Sequence, residues 1–378
     1  MGCVSTRAAL IALAHCVEPG DVRLGAWVER VGVVQAAEAL DDGSAPVPEG
    51  VWLRWRAGRH VDAEGTAAHC GARIVVRGES EWPSQLADLG PREPYALWVV
   101  GAAHLRLAAV ASVAVVGARA CTGYGVEVAH GWSASLAASG VTVVSGGAFG
   151  IDAAAHRGAL AAGLTVCVVA GGVNVPYPRS HDALLARIAD EGLVVSESPP
   201  DEQVRRQRFL TRNRVIAALT RATLVVEAAE RSGTASTARE AHALGRVVAA
   251  VPGPVTSATS AGCHRMVRDR EAELALSADD VRMLAGLANV DATPAAVVPG
   301  GGAGLALDGL DARARRVHDA LPARRAVSES VLMHASGLSL ADMLTGLALL
   351  ELNGLAMPID GGWRAVRPAR REAGTMGE

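Results

Sequence analysis

The chain contains no lysine, so all 36 of its basic residues are arginines. That absence removes whole classes of chemistry: a Walker A phosphate loop, a pyridoxal Schiff base and a lysine general base. Aromatic residues are scarce too, with two Phe, three Tyr and seven Trp among 378 residues. The six cysteines (Cys3, Cys16, Cys70, Cys121, Cys167 and Cys263) lie far apart and form no C-x-x-C pair. They support neither a disulfide framework nor a zinc-ligand spacing, so reduced thiols and no metal are expected. No uncharged apolar run reaches the roughly 18 residues of a membrane span. The stretch AALIALA at 8–14 imitates a short signal peptide, but His15 is a poor residue before a cleavage site. MGCVST at 1–6 fits a myristoylation pattern without the polybasic segment that would support it. The expected location is cytoplasmic, with no membrane partner.

What is present is ample apolar material, with 50% hydrophobic residues, and a length that suits two or three domains. The net charge is only −3, so any surface that attracts nucleic acid has to be local. Residues 6–40 carry two helix-like patterns split by Pro19–Gly20, and 41–110 read as irregular with short apolar runs at 72–76 and 95–100. From 112 onward, apolar runs at 112–117, 141–145, 164–170, 193–196, 222–228 and 246–252 alternate with helix-like stretches. Those stretches fall at about 124–139, 151–162, 180–190, 209–219 and 234–244. Near-continuous apolar strands between helices indicate a parallel sheet covered on both faces, a doubly wound Rossmann-like α/β domain. Residues 289–307, rich in Ala, Gly and Pro, read as a linker. Helices at 310–321, 328–336 and 339–353, then a hairpin at 355–359 and 363–366, have the order of a winged helix. The expected domains are therefore 1–75, helical with an irregular extension; 76–288, Rossmann-like; and 308–368, winged helix, followed by a tail at 369–378.

In an open parallel sheet, ligands bind beyond the carboxyl ends of the strands. Three loops there run Gly-, Ser- or Thr-rich backbone into a helix start: the one from Gly117 to Gly125, the one from Ser145 through Gly146 and Gly147 to Asp152, and Ser232-Gly233-Thr234. Free N–H groups and the helix dipole favour an anion at such places. Glycine turns also serve close packing, so each loop alone is a weak signal; three on one sheet edge point to several phosphates, as in a polymer. There is no G-x-G-x-x-G after the first strand and no acid at the end of the second, so no nicotinamide cofactor is expected.

The run RRQRFLTRNR at 205–214 holds five arginines and no acid. It is either a solvated basic helix start or, lying at the ligand edge of the sheet, a phosphate-binding surface. Arg119, projecting from the first loop, has the same credentials. Phe149 and Phe209 fall in or beside these loops, where core packing and base stacking are the competing readings. Asp152 and His156 lie four apart on one helix; a helix-capping aspartate with a packed histidine explains them better than a metal or acid–base pair.

At these residues the sequence resembles the DprA/Smf family of DNA-processing proteins. The matching segments are VGAR at 116–119, SGGAFGID at 145–152, Tyr177-Pro178, FLTRNRVIA at 209–217, VEA at 226–228, SGT at 232–234 and AVPG at 250–253. They occur in family order across about 112–270, between flanks that look like a sterile-alpha-motif-type helical domain and a winged helix. The resemblance implies a non-enzymatic protein of natural transformation that binds and protects single-stranded DNA, helps load the recombinase RecA and forms a homodimer through the Rossmann-like domain. Carried over by residue, it implies phosphate contacts from Gly117, Arg119 and the backbone of Ser145, Gly146 and Gly147. Arg212, Asn213 and Arg214 would line the same pocket with Ser232, Gly233 and Thr234, and Phe149 or Phe209 would meet a base. Phe149 stands where many members carry a basic residue. Over 308–378 nine arginines balance nine acids, which suits a protein-contact role better than duplex binding.

The rival reading is a nucleotide-binding or phosphoribohydrolase-like enzyme of the same superfamily. It shares Gly233-Thr234 but calls for a catalytic glutamate where this chain has Thr237.

Overall fold

Six runs of aliphatic residues, 112–117 through 246–252, form the centre of the fold as expected. In the computed structural model, which describes residues 5–230, 233–288, 310–322, 325–359 and 362–366, they are strands of one nine-stranded sheet. The strands are β1 (Ala72–Val76), β2 (Ala96–Val100), β3 (Ser112–Gly117), β4 (Thr142–Ser145), β5 (Thr165–Val169), β6 (Leu193–Ser196), β7 (Ala222–Val226), β8 (Val247–Ala250) and β9 (Glu273–Leu274). Their order is β1-β2-β6-β5-β4-β3-β7-β8-β9. From β6 to β9 all neighbours are parallel, whereas β2 runs antiparallel to β6 and β1 antiparallel to β2.

Both faces of the sheet are covered, which is why its strands read as unbroken apolar runs. Helices Gly123–Ala138 and Ile151–Leu160 bury Leu136 and Ile151 against Val113, Val143 and Leu224. On the other face helix Arg206–Leu219 places Val215, Ile216 and Leu219 against Ala114, Val144 and Val168. Strand order reverses between β3 and β7, so the chain's α/β switch point lies at the ends of those two strands.

The first hundred residues are more ordered than the irregular reading of 41–110 anticipates. Helices Glu49–Gly58, Ala63–His69 and Leu105–Val110 lie there, and the apolar runs at 72–76 and 95–100 are β1 and β2. The second helical pattern of 6–40 is two helices, Val22–Val31 and Val33–Asp42, because Gly32 at φ 91° breaks the run. Helix Thr6–Cys16 packs onto β1 and β2, where Leu10 and Ile11 meet Ile74 and Trp98, and its Ala9 and Leu13 pack against Leu24, Val28, Ala36 and Leu40 of the other two.

The chain divides into two compact units, Met1–Gly300 and Gly301–Glu378. In the second, helices Ala312–Ala320, Glu329–Ser336 and Leu340–Leu352 precede an antiparallel pair, β10 (Ala356–Ile359) and β11 (Gly362–Ala365). Val317, Leu332, Met343, Leu347 and Leu350 form its core. The expected linker at 289–307 and tail at 369–378 lie outside the described residues.

Candidate functional site

A cleft of about 480 Å³ opens at the switch point between β3 and β7. It is lined by Gly117, Arg119, Asp152, Phe209, Arg212, Asn213, Gly233, Thr234, Thr237 and Thr259, with Ala148 of the second glycine loop. Two of the three glycine-rich loops and the arginine-rich helix therefore meet in one place, joined by the start of helix Thr234–Ala243 from the third. Gly117 is there for close approach: it pairs with Val226 across β3 and β7, and a Cβ would be driven into the Val226 carbonyl.

The exposed guanidinium of Arg119 lies over the ring of Phe209, 5.3 Å from its centroid, in a cation–π contact. Tyr177, 46% exposed, meets the same ring at 5.1 Å with a tilt of 55°. Phe149 is 49% exposed and does not line this cleft; its ring packs edge-on to His181 at 4.7 Å.

Arg212 faces the loop ends instead. It donates to Gly146 O at 2.9 Å and to Val168 O, and burial lowers its pKa. A Cβ at Gly146 would stand 2.5 Å from Arg212 Nη2, so any side chain there would have to displace the guanidinium. Arg214, two residues on, points away from the cleft. It is 1% exposed and donates to Glu197 Oε1 at 2.6 Å. Asn213 is buried at the cleft wall. The Ser145 hydroxyl is fully buried and donates to Val115 O at 2.6 Å. Ser232 lies outside the described residues.

Two carboxylates occupy amides that the sequence offers to phosphates. Asp152 Oδ2 accepts from Gly146 N at 3.2 Å and Ala148 N at 3.3 Å, and burial pushes its pKa up. Glu227, at φ 55° on the end of β7, accepts from Thr122 N at 2.8 Å and Thr122 Oγ1 at 2.5 Å. Thr259 Oγ1 reaches the same carboxylate at 3.2 Å. The start of helix Thr234–Ala243, by contrast, has no side-chain cap. Sequence reasoning missed Thr259 because its only signal is the turn after AVPG. Among the described residues no cluster of His, Cys, Asp and Glu has metal-binding geometry, and no single helix is long and apolar enough to cross a membrane.

His156 makes its own contact, separate from that of Asp152. Thr165 Oγ1 donates to Val143 O, so its oxygen accepts from Nδ1–H of His156 at 2.8 Å. Burial lowers the imidazole pKa to about 3. An unfolded histidine titrates near 6.5, so on acidification the unfolded chain takes up the proton first and stability falls. From pH 7 to pH 5 this single group is expected to cost about 2 kcal/mol. Denaturant melts of wild type and His156→Asn at both values check it: equal pH dependence in the two would refute the assignment.

Residues 73–286 match the family model described as DNA recombination-mediator protein A. The chain is 43% identical over 382 residues to a putative DNA processing protein DprA of Mycobacterium tuberculosis, covering 97% of this chain and 96% of that protein. Protein Smf of Escherichia coli is 41% identical over 177 residues, 46% of this chain and 47% of that one. Among solved structures, DNA processing protein A of Streptococcus pneumoniae aligns with a TM-score of 0.62 and 29% identity, covering 74% of this chain and 98% of that chain. DNA processing protein A of Helicobacter pylori, whose structure is described for its single-stranded DNA binding mode, aligns with a TM-score of 0.51 and 26% identity over 56% of this chain and 93% of that one. A family model over more than half of the chain, and a DprA relative matched along nearly its whole length, establish that this protein belongs to the DNA recombination-mediator protein A family.

Proposed function

We propose that the chain binds single-stranded DNA across the cleft at the β3–β7 switch point, without catalysis. The observation that carries this reading is Arg119: an exposed guanidinium held on an aromatic ring, with no carboxylate partner among the described residues, at the mouth of the cleft. It offers a phosphate clamp, and the Phe209–Tyr177 pair offers faces for bases. Gly233 and Thr234 supply uncapped helix-start amides to the same cleft. Ser145, Gly146 and Gly147 then act chiefly by shaping the loop, because the Gly146 amide is committed to Asp152. Arg212 shapes it too, through the carbonyls it holds. The Helicobacter relative's single-stranded DNA binding mode supports the same substrate.

Protection of the strand, delivery to the recombinase RecA during transformation or recombination, a homodimer built through the sheet domain and a cytoplasmic location belong to the same proposal. A phosphoribohydrolase would need a free carboxylate in the cleft. Thr237 stands at the position where that family has glutamate, and Asp152 and Glu227 are both committed to amides.

Fluorescent oligo-dT of graded length, measured against duplex and free nucleotides at several salt concentrations, tests the reading. A length threshold, a preference for single strands and a steep salt slope are expected. Tight mononucleotide binding with little salt dependence would refute it in favour of the enzyme.

A further inference from the structure

Helix Arg206–Leu219 has a start that its own sequence does not stabilise. The N-cap is Arg205, which makes no side-chain cap bond, and no acid lies in the first turn. Instead Arg205, Arg206 and Arg208 crowd cations at the positive end of the helix dipole, where anions are favoured. The first turn nevertheless carries Phe209. The missing negative charge comes from elsewhere in the chain. Arg208, 8% exposed, donates from Nε to Glu18 Oε1 at 2.7 Å and from Nη2 to Glu18 Oε2 at 3.1 Å. Its Nη1 donates to Glu202 Oε2 at 2.8 Å. The two-pronged contact with Glu18 spans 190 residues of sequence and comes from the turn between the first two helices. In the same turn Gly20 lies against the helix one step further along: a Cβ there would stand 2.9 Å from Thr211 Cγ2 and 3.0 Å from Arg214 Nε.

We infer that Glu18 is a positioning residue of the DNA cleft: through its paired contact with Arg208 it orders the first turn of helix Arg206–Leu219 and so fixes Phe209 beneath Arg119. The N-terminal helices thereby set the affinity of a site they do not line. This inference rests on the cleft being the DNA site.

The test uses the full chain with Glu18→Gln, Arg208→Gln and the double variant. Glu18→Gln should speed hydrogen exchange at the amides of 207–212 while leaving those of 215–219 protected. It should weaken oligo-dT binding roughly three- to tenfold, the scale of one lost charge-assisted contact spread over helix order. Its salt slope should equal that of wild type, since no phosphate contact is removed. Because Glu18 acts through Arg208, adding Glu18→Gln to Arg208→Gln should cost nothing further. Unchanged exchange at 207–212 would overturn the inference. So would tighter binding by Glu18→Gln, which would mean that Arg208 was withheld from the strand. Arg119→Ala separates the two layers. If it binds like wild type, the cleft reading fails, and the exchange experiment still decides whether Glu18 orders the helix start.

Discussion

Arg119→Ala is expected to weaken binding of single-stranded oligo-dT by roughly 10- to 100-fold at moderate salt, the range for losing a charge-assisted phosphate contact. Its signature should be a salt dependence shallower by about 0.7 in log–log slope, one counterion fewer released from a single strand. Stability should be unaffected, because the side chain is exposed and its one aromatic contact is on the surface. Arg119→Lys distinguishes charge from shape. A lysine keeps the charge and so the slope, but it loses the flat guanidinium over Phe209 and the forked donor geometry, so part of the affinity should stay lost. Fluorescence titration at three or more salt concentrations checks both variants. Equal affinity of Arg119→Ala and wild type would remove the strand from this cleft.

Asp152→Ala should produce the largest loss of stability among single changes in the site, about 3 kcal/mol or more. The carboxylate is 7% exposed and accepts two loop amides, and its charge offsets that of the shielded Arg212 guanidinium. Alanine leaves the amides of Gly146 and Ala148 without this acceptor and Arg212 without its compensating charge. Asp152→Asn keeps one acceptor oxygen and should lose less than half as much. At roughly 2–4 °C per kcal/mol, Asp152→Ala should lower the melting temperature by about 6–12 °C. The vacated amides form an anion-sized nest, so sulfate or phosphate should stabilise the variant by more than it stabilises wild type. A melting temperature within about 2 °C of wild type would mean the loop does not depend on this carboxylate.

The central strands and helices are legible in the sequence because burial on both faces leaves no alternation to misread: 164–170 reads as a strand, and Thr165–Val169 is one. β1 and β2 are not, since β2 is a strand through the antiparallel pairing of Trp98 with Ser196, a partner about a hundred residues away, and β1 only through its pairing with β2. The site divides in the same manner. The glycine loops and Arg119 are visible locally. That Glu227 would take up the Thr122 amide, 105 residues distant, depends on the β3–β7 register. The arginine run was legible only as a charge. Residues two apart on a helix face different ways, so Arg212 and Arg214 part company, one to the cleft and the other to Glu197.

The strand order also schedules the birth of the site. β3 pairs with β7 only after β4, β5 and β6 have been laid down on its other side, so the cleft's two walls are separated in time as well as in sequence. At about 5–20 residues per second a ribosome needs several seconds or more to pass from Gly117 to Val226, and the start of helix Thr234–Ala243 emerges later still. Throughout that interval the growing chain holds half a sheet whose β3 edge is open. On the proposed reading of the cleft, a nascent polypeptide would be unable to capture a DNA strand until its sheet is nearly whole, and pauses placed before residue 226 would lengthen the life of an unpaired, aggregation-prone edge.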